Sequence, residues 1–291
     1  MEQPLFNEKT LVEEFLNKNL PQENEKPETL HKAMRYAVLS GGKKLRTLLA
    51  VSACKAVGGT LDNALQAGCA VELVHSYSLI HDDLPCMDDD DLRRGKPTCH
   101  KKFGETIALL AGDALLTLAF EWAARAGILN PNRNSEIIIE LAKAAGHAGM
   151  VGGQVVDIET TGIPPSAEIL QFIHHHKTAD LILAAVVIGG IAGDGDKNQI
   201  ENLRKFGINL GMAFQYIDDI LDCSQSSDTI GKTAGKDKAA GKITAVSVFG
   251  IEKAKEIAGK YKKESMNTLI HAGWSKNELS EIAEFVTGRS F

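Results

Sequence analysis

The chain has 291 residues and a formal net charge of −6, from 32 lysines and arginines against 38 aspartates and glutamates. Hydrophobic residues make up 44% and charged residues 24%, a globular composition that excludes collagen-like, fibrous or largely disordered chains. The acidic balance argues against a general nucleic-acid binder, which would need a basic face. It leaves anionic substrates open, because a few cations can dominate one pocket.

Cysteine spacing and the N-terminal segment bear on where the chain works. The five cysteines are Cys54, Cys69, Cys86, Cys99 and Cys223. Their odd number, their wide spacing and the lack of a C-x-x-C pair favour reduced thiols over a disulfide framework or a zinc site. Residues 1–20 lack the apolar core of a secretory signal. We therefore expect a cytoplasmic protein.

Helix-forming patterns dominate the chain, and strand patterns are almost absent. Thr10 and Ser275, each followed three residues later by glutamate, predict helix starts. Glycine pairs after residues 40 and 57 are typical of helix ends, as is a proline, here Pro85. The predicted helices are 30–39, 45–57, 62–82, 105–127, 134–149, 166–176, 178–192, 197–222, 250–271 and 276–286.

One apolar stretch bears on whether the chain crosses a membrane. The most apolar stretch, residues 181–193, is glycine-rich and thirteen residues long. A membrane-spanning helix needs about 20 apolar residues, so we expect a buried helix here and no membrane span. The number of domains follows from function instead: the residues near 43–94 and 177–242 that a family resemblance, given below, implies as ligands must meet at one site. We therefore predict a single all-α domain over residues 1–291, a bundle of ten or more helices around a central cavity.

Two clusters of aspartate carry the strongest functional signal. The first is the segment DDLPCMDDDD at residues 82–91, and the second is DDILD at residues 218–222. Asp218 and Asp222 are four residues apart, so their carboxylates project from one face of a helix. Such crowding of like charges is unfavourable unless a cation lies between them, and hard cations such as Mg²⁺ prefer oxygen ligands. Two facing clusters would hold a diphosphate through bridging metal ions.

Other interpretations of the acidic segments are weaker. Acidic runs are often solvated surface, and for residues 89–91 alone that interpretation stays open. It does not explain both clusters, because each adjoins a strongly apolar helix. An EF-hand does not fit, since Leu92 and Arg93 occupy loop positions that need a ligand and a glycine. Paired acid and base carboxylates, as in glycosidases, would not need so many acids.

Two further motifs suggest ligands less strongly. The segment around Lys232 resembles the end of a nucleotide P-loop, but Ser226 stands where the first glycine is required and no strand precedes it. The histidine run at residues 174–176 suggests a metal site. We favour a helix-surface run with one or two packed imidazoles.

With Arg93-Arg94 after the first cluster, the chain resembles the trans-isoprenyl diphosphate synthases, or polyprenyl synthetases, from about residue 30 to residue 258. The four residues between Asp83 and Asp88 match the longer spacing of bacterial farnesyl and plant geranylgeranyl enzymes. The nearest likeness is to bacterial farnesyl diphosphate synthases. The resemblance implies an isoprenoid-synthase-like bundle and a homodimer.

The resemblance also implies roles for the positions that match the family's motifs. The implied metal ligands are Asp82, Asp88 and Asp218, with Asp83 as a supporting carboxylate. The implied ligands of isopentenyl diphosphate are Lys43, Arg46, His75 and Arg94. The residues implied to contact the allylic diphosphate or to act in the reaction are Arg93, Lys177, Thr178, Gln215, Asp219, Asp222, Lys232 and Lys242. Gln154 and Asp157 match positions that line the site.

The implied reaction is head-to-tail prenyl transfer. Mg²⁺ (three ions with substrate bound, with Mn²⁺ as an alternative) and the basic side chains neutralise the leaving group of the allylic diphosphate, so that it ionises. The alkene of isopentenyl diphosphate attacks the resulting cation. Carbonyl oxygens near Thr178 and the side chain of Gln215 would face that cation. The resemblance implies that released pyrophosphate takes the final proton, so no side-chain base is needed.

Product length depends on the depth of the slot that receives the growing tail. Tyr77 lies five residues before Asp82, about 7.5 Å deeper along a helix at 1.5 Å per residue. A ring at that depth would stop the chain at three isoprene units, and in the resembling family an aromatic residue here accompanies farnesyl diphosphate. Tyr77 as an ordinary core aromatic is the alternative. Asp180, an acid where the family has an apolar residue, leaves substrate preference open.

We expect a farnesyl diphosphate synthase that uses isopentenyl diphosphate and dimethylallyl or geranyl diphosphate. The alternatives are a geranylgeranyl or geranyl diphosphate synthase, a terpene cyclase, or a non-catalytic subunit of a heteromeric synthase. A cyclase normally carries a different second motif, and non-catalytic subunits usually lack one Asp cluster, whereas both clusters are intact here.

Overall fold

The computed structural model of the protein describes residues 3–126, 130–224 and 241–288. Within these ranges the chain forms fourteen α-helices and one two-stranded hairpin. The helices are α1 Gln3–Asn19, α2 Glu28–Leu39, α3 Leu45–Ala56, α4 Leu61–Asp82, α5 Cys99–Phe103, α6 Glu105–Ala124, α7 Asn134–Ala145, α8 Met150–Glu159, α9 Ala167–Ile173, α10 Asp180–Ala192, α11 Lys197–Ser224, α12 Ala245–Phe249, α13 Ile251–His271 and α14 Glu278–Thr287. The predicted all-α bundle of ten or more helices is confirmed.

The hairpin is one element that sequence patterns missed, as are the short helices α5 and α12. Strands β1, Leu92–Arg93, and β2, Lys96–Pro97, pair antiparallel between the predicted helices 62–82 and 105–127. The turn between them is Arg94-Gly95, and both residues have positive φ, at 55° and 73°. Two-residue hairpin turns of this kind are usually signalled by Asn-Gly or Asp-Gly, so Arg-Gly gave no warning.

The core is built around α10, the helix predicted from the apolar stretch. Its residues from Leu181 to Ala192 are buried except Leu183, which is partly exposed. The backbone of α10 approaches α3 so closely that a Cβ at Gly189 would lie 2.0 Å from the Ala50 carbonyl oxygen. Glycine at this position therefore allows two apolar helices to pack at short range. The prediction of a buried helix is confirmed.

Two predicted helix starts are wrong, and one predicted break takes another form. Thr10 lies inside α1, and α14 is capped by Asn277, whose side chain accepts from the Ser280 N–H, rather than by Ser275. Between α9 and α10 the chain does not break. It continues through a π-helical turn at His174–Ala179, and such widened turns often occur at functional sites.

Helix α6 is the one helix among the described residues that is long and apolar enough to cross a membrane, judged by length and composition alone. Core helices of water-soluble proteins pass the same test, so this is weak evidence of a span. Leu109 and Leu110 of α6 are nearly half exposed.

Candidate functional site

The first acidic cluster forms a tight backbone turn at the C-terminal end of α4. Helix α4 ends at Asp82, and the chain then folds back so that the Asp88 N–H donates to the Asp82 carbonyl at 2.8 Å. The Asp89 N–H donates to the Leu84 carbonyl at 3.2 Å, with Asp89 in the left-handed region at φ 47°. The turn therefore brings two of the implied metal ligands, Asp82 and Asp88, to one end of α4.

Asp82 sits where its negative charge is costly without a cation. Burial raises the pKa of Asp82 to about 6; nearby Lys177 opposes the rise, and Asp88 adds to it. A cation beside a buried carboxylate stabilises its ionised form. This fits a divalent-metal site with oxygen ligands.

Two lysines lie among these carboxylates. Lys242 Nζ is 2.9 Å from Asp88 Oδ1 and 3.9 Å from Asp157 Oδ2. Lys177 Nζ is 2.5 Å from the same Asp157 oxygen. We call Asp82, Asp88, Asp157, Lys177 and Lys242 the acidic region. It joins the end of α4 to α8, to the π turn and to the segment before α12, so residues far apart in sequence meet.

Asp83 has a different task from its neighbour Asp82. It is buried, at 3% exposure. Its Oδ1 accepts from Arg93 Nε at 2.8 Å and from Arg93 Nη2 at 2.6 Å. Asp90 adds a second acidic contact to Arg93 at 3.6 Å. A bidentate pair of this type fixes the guanidinium plane, which fits the supporting role implied for Asp83.

The second acidic cluster, on α11, also divides its carboxylates between tasks. Asp219 is buried, and its two oxygens lie 2.9 Å from His174 Nε2, 2.8 Å from Gln215 Nε2 and 2.6 Å from the Ala245 N–H. Asp219 therefore ties α11 to the π turn and to the start of α12. Asp218 and Asp222 are only partly buried on the same helix.

Gln215 is held in one orientation by its neighbours. Its Oε1 accepts from Thr178 Oγ1 at 2.7 Å, and its Nε2 donates to Asp219. An amide that is bonded at both ends cannot flip without losing both bonds. Thr178, Gln215 and Asp219 thus form a fixed polar row across the π turn and α11.

A second site region, which we call the basic cluster, consists of Arg46, His75 and Arg94. Burial lowers the pKa of His75 well below its usual value, with Arg46 and Arg94 adding to the effect. Burial also lowers the pKa of Arg46 to about 10. Buried Arg46 Nε has no hydrogen-bond partner among the described residues. An unmatched buried donor beside other cations fits an anionic ligand.

Two local features shape the basic cluster. Arg94 Nη1 donates to the Gly41 carbonyl at 2.7 Å. Gly42 has φ +95°, and a Cβ there would lie 2.6 Å from the Arg94 guanidinium carbon. Glycine at position 42 therefore lets the arginine lie against the loop. Sequence reasoning missed Lys44, which is buried and donates to the Val38 and Gly41 carbonyls, holding the loop from within.

Some predicted residues lie at the edge of these regions or outside the described chain. Lys43 is exposed, and its Nζ lies 4.7 Å from the ring centroid of Phe285 on α14. Lys232 lies outside the described residues.

Tyr77 is 6% exposed and packs edge-on against His81, with ring centroids 5.6 Å apart. Burial raises the pKa of Tyr77 to about 12. His81 Nε2 lies 3.0 Å from the Leu109 carbonyl, and a Cβ at Gly112 would lie 2.1 Å from that nitrogen. Tyr77 and His81 therefore fill the space between α4 and α6. The lack of metal-ligand spacing around His81 predicts a structural residue, and its contacts with α6 agree with that.

Comparison with known proteins identifies the family. The polyprenyl synthetase family model matches residues 27–282. Geranylgeranyl pyrophosphate synthase 11 of Arabidopsis thaliana is 50% identical over 264 residues, covering 89% of this chain and 73% of that protein. A geranyltransferase from Helicobacter pylori, solved in complex with magnesium and isoprenyl diphosphate, has a TM-score of 0.87 and 35% identity over 99% of this chain and 98% of that one. An FPP/GFPP synthase from Zymomonas mobilis has a TM-score of 0.86 and 36% identity over 97% of each chain. This chain therefore belongs to the polyprenyl synthetase family of prenyltransferases.

Proposed function

We propose that this protein joins isopentenyl diphosphate head-to-tail to an allylic diphosphate and makes a short-chain trans-prenyl diphosphate. The observation that carries the proposal is the pairing of two differently charged regions. The acidic region gathers carboxylates that suit cations. The basic cluster includes Arg46, whose buried Nε lacks a hydrogen-bond partner in the part of the chain that the structure describes and so suits an anion. One region fits a metal-bound diphosphate and the other a diphosphate bound directly.

The metal is proposed to be Mg²⁺. Asp82, Asp88 and Asp218 would hold it, since all three offer hard oxygen ligands. A magnesium ion is named in the complex of the Helicobacter pylori relative. When bound, Mg²⁺ supplies charge neutralisation for the leaving diphosphate.

The chain's own residues position the two substrates. Arg93, with its plane fixed by Asp83, is proposed to hold the allylic diphosphate. Lys177 and Lys242 balance Asp157 and Asp88 in the structure. With metal ions held by Asp82, Asp88 and Asp218, the ammonium groups of Lys177 and Lys242 would turn from Asp157 and Asp88 to the diphosphate oxygens. This stabilises charge where it develops as the allylic bond ionises.

Arg46, His75 and Arg94 are proposed to hold the diphosphate of isopentenyl diphosphate. Carbonyl oxygens near Thr178 and the side chain of Gln215, in the orientation that its hydrogen bonds fix, are proposed to face the allylic cation. The released pyrophosphate is proposed to take up the final proton, so that no aspartate or histidine of the site has to act as the base.

Product length has two candidates, each favoured by a different observation. The name of the Arabidopsis thaliana relative favours geranylgeranyl diphosphate, and other plant relatives carry similar names. The buried ring of Tyr77, five residues before Asp82, favours farnesyl diphosphate as a floor for the growing tail. We propose the farnesyl product on this geometry and keep geranylgeranyl as the second candidate.

Incubation of the purified protein with Mg²⁺ and the two C5 diphosphates, followed by chromatography of the dephosphorylated products, tests the function. A C15 alcohol is expected. A C20 alcohol would select the second candidate, while a cyclised hydrocarbon or no turnover would contradict prenyl elongation by this chain alone.

Replacing Tyr77 tests the floor directly. Tyr77→Ala is expected to lengthen the product by at least one C5 unit, because it removes the ring beneath the tail. Tyr77→Phe is the matched control and should leave the product length unchanged. If both variants give the wild-type product, Tyr77 does not set the length.

A homodimer is a further proposal, and so is a cytoplasmic location. Sedimentation at micromolar concentration tests the first, with a mass of twice the 31.3 kDa chain expected. Fractionation of the source cells tests the second.

A further inference from the structure

A second group of metal-binding side chains lies apart from the acidic region. It consists of His175, His176 and Asp180, at the π turn and the first residue of α10. One possible ligand atom from each residue lies within 4.8 Å of the other two. The proposed prenyl transfer uses none of these three side chains.

The π turn is what brings them together. A π-helical turn is wider than an α-helical one and bonds residues five apart, so residues four and five positions before Asp180 both reach it. His176 Nδ1 lies 2.8 Å from Asp180 Oδ2, and His175 Nε2 lies 3.4 Å from Asp180 Oδ1. In a regular α-helix, positions 175 and 180 would point in different directions.

The neighbouring side chains of the same turn are engaged elsewhere. His174 contacts Asp219, and Lys177 contacts Asp157. Phe172 packs on the ring of His176, with centroids 4.3 Å apart. The turn therefore sorts its residues into a set that builds the candidate active site and a set that meets at Asp180.

We propose that His175, His176 and Asp180 bind a divalent transition-metal ion of the zinc class. Ligands at 2.0–2.1 Å around a tetrahedral ion are about 3.3 Å apart, close to the distance between His175 Nε2 and Asp180 Oδ1. Two imidazoles and a carboxylate suit Zn²⁺, Co²⁺ or Ni²⁺, whereas Mg²⁺ takes oxygen ligands.

The solvent exposure of the three side chains supports such a site. The side chains of His175 and His176 are 41% and 27% exposed, and that of Asp180 is 14% exposed. A metal ion can thus reach the group from solvent and keep a water ligand in a fourth position.

Titration calorimetry with Zn²⁺ tests the site, using tag-free protein with saturating Mg²⁺ so that the oxygen-ligand sites are filled. One Zn²⁺ per chain is expected in the wild type. Binding should weaken by at least about tenfold in His175→Ala and in Asp180→Ala, because each loses a direct ligand. His147→Ala, which removes an exposed imidazole outside the cluster, is the matched control and should bind as the wild type does.

The visible spectrum of the Co²⁺ form gives a second readout that does not depend on turnover. Intense d–d bands of a nitrogen-ligated tetrahedral ion should appear in the wild type and in His147→Ala and be absent in His176→Ala. Circular dichroism checks that each variant is folded. Absence of Zn²⁺ binding under saturating Mg²⁺, or equal binding in the wild type and in both the His175 and Asp180 variants, would overturn the proposal.

Discussion

The acidic region and the basic cluster are proposed to bind a diphosphate in opposite ways, the first through metal ions and the second directly. In the acidic region the carboxylates of Asp88 and Asp157 already have lysine partners, and the cost falls on Asp82, whose pKa burial raises to about 6. In the basic cluster, cationic side chains lie together, and Arg46 Nε has no hydrogen-bond partner within residues 3–126, 130–224 and 241–288. The first region is set to receive cations, and the second is set to receive an anion directly. In the proposed function, the two diphosphates would therefore be distinguished by whether a metal ion accompanies them.

The largest expected effect is on the acidic side. Asp82→Asn removes a proposed metal ligand and should lower kcat by about 10³-fold, the scale seen when a group that stabilises developing charge is lost. Asp89→Asn is the matched control, since it makes the same change in the same turn at an exposed residue whose positive φ asparagine tolerates. Equal activity of the two variants would contradict the proposed role of Asp82 as a metal ligand.

Substitutions in the basic cluster should weaken substrate binding, measured as KM, rather than slow the chemical step. Arg46→Ala is expected to raise KM for isopentenyl diphosphate by about 10- to 100-fold, the range for one lost charged hydrogen bond, with KM for the allylic substrate little changed. Arg46→Lys keeps the charge without the planar fork and should fall between. A rise in KM confined to the allylic substrate would show that the roles of the two regions are reversed.

Asp219 marks the boundary between the acids that bind ligands and those that hold the fold. Asp219→Asn cannot accept from both His174 and the Ala245 N–H as the carboxylate does, so the free energy of unfolding should fall by about 1–3 kcal/mol. Urea denaturation measures it. Asp113→Asn is the control, at a residue whose side chain is 60% exposed, and should leave the free energy of unfolding nearly unchanged. An equal decrease in both variants would show that the Asp219 contacts do not stabilise the fold.

The smallest effect is a pH-dependent gain in stability. The pKa of Asp82 is raised in the folded state, so ionising it penalises folding above about pH 6, and the penalty disappears as pH falls below the ordinary value of 3.8. Without metal, Asp82→Asn should therefore be more stable than the wild type by about 1–2 kcal/mol at pH 7. Near pH 4 the two should converge.

Urea denaturation in EDTA at both pH values measures this difference. A stability difference that does not change with pH would contradict the buried-charge account. The same substitution is thus expected to stabilise the metal-free protein while it removes activity.

Much of the fold and of the site could be predicted from the sequence, because the signals are local. Asp218 and Asp222 are four residues apart, a spacing that places both on one face of a helix. The apolar run of α10 is likewise visible in the local sequence. What escaped prediction depends on contacts between distant segments. The three acceptor bonds of Asp219, for example, include partners from two other elements, the π turn and the start of α12.

The π turn shows the same limit. The sequence predicted a break near residue 177, where the structure keeps a continuous but widened helix. Within this turn, Lys177 and Thr178 bond to side chains of α8 and α11. Local sequence patterns do not encode contacts between segments so far apart in the chain.

A crystal structure with Mg²⁺ and a non-ionisable allylic diphosphate analogue tests the central claim most directly. We expect magnesium ions between the diphosphate and the carboxylates of Asp82, Asp88 and Asp218, with the ammonium groups of Lys177 and Lys242 moved onto phosphate oxygens. A diphosphate bound with no metal ion at Asp82 or Asp218, and with both lysines still on Asp157 and Asp88, would contradict the account.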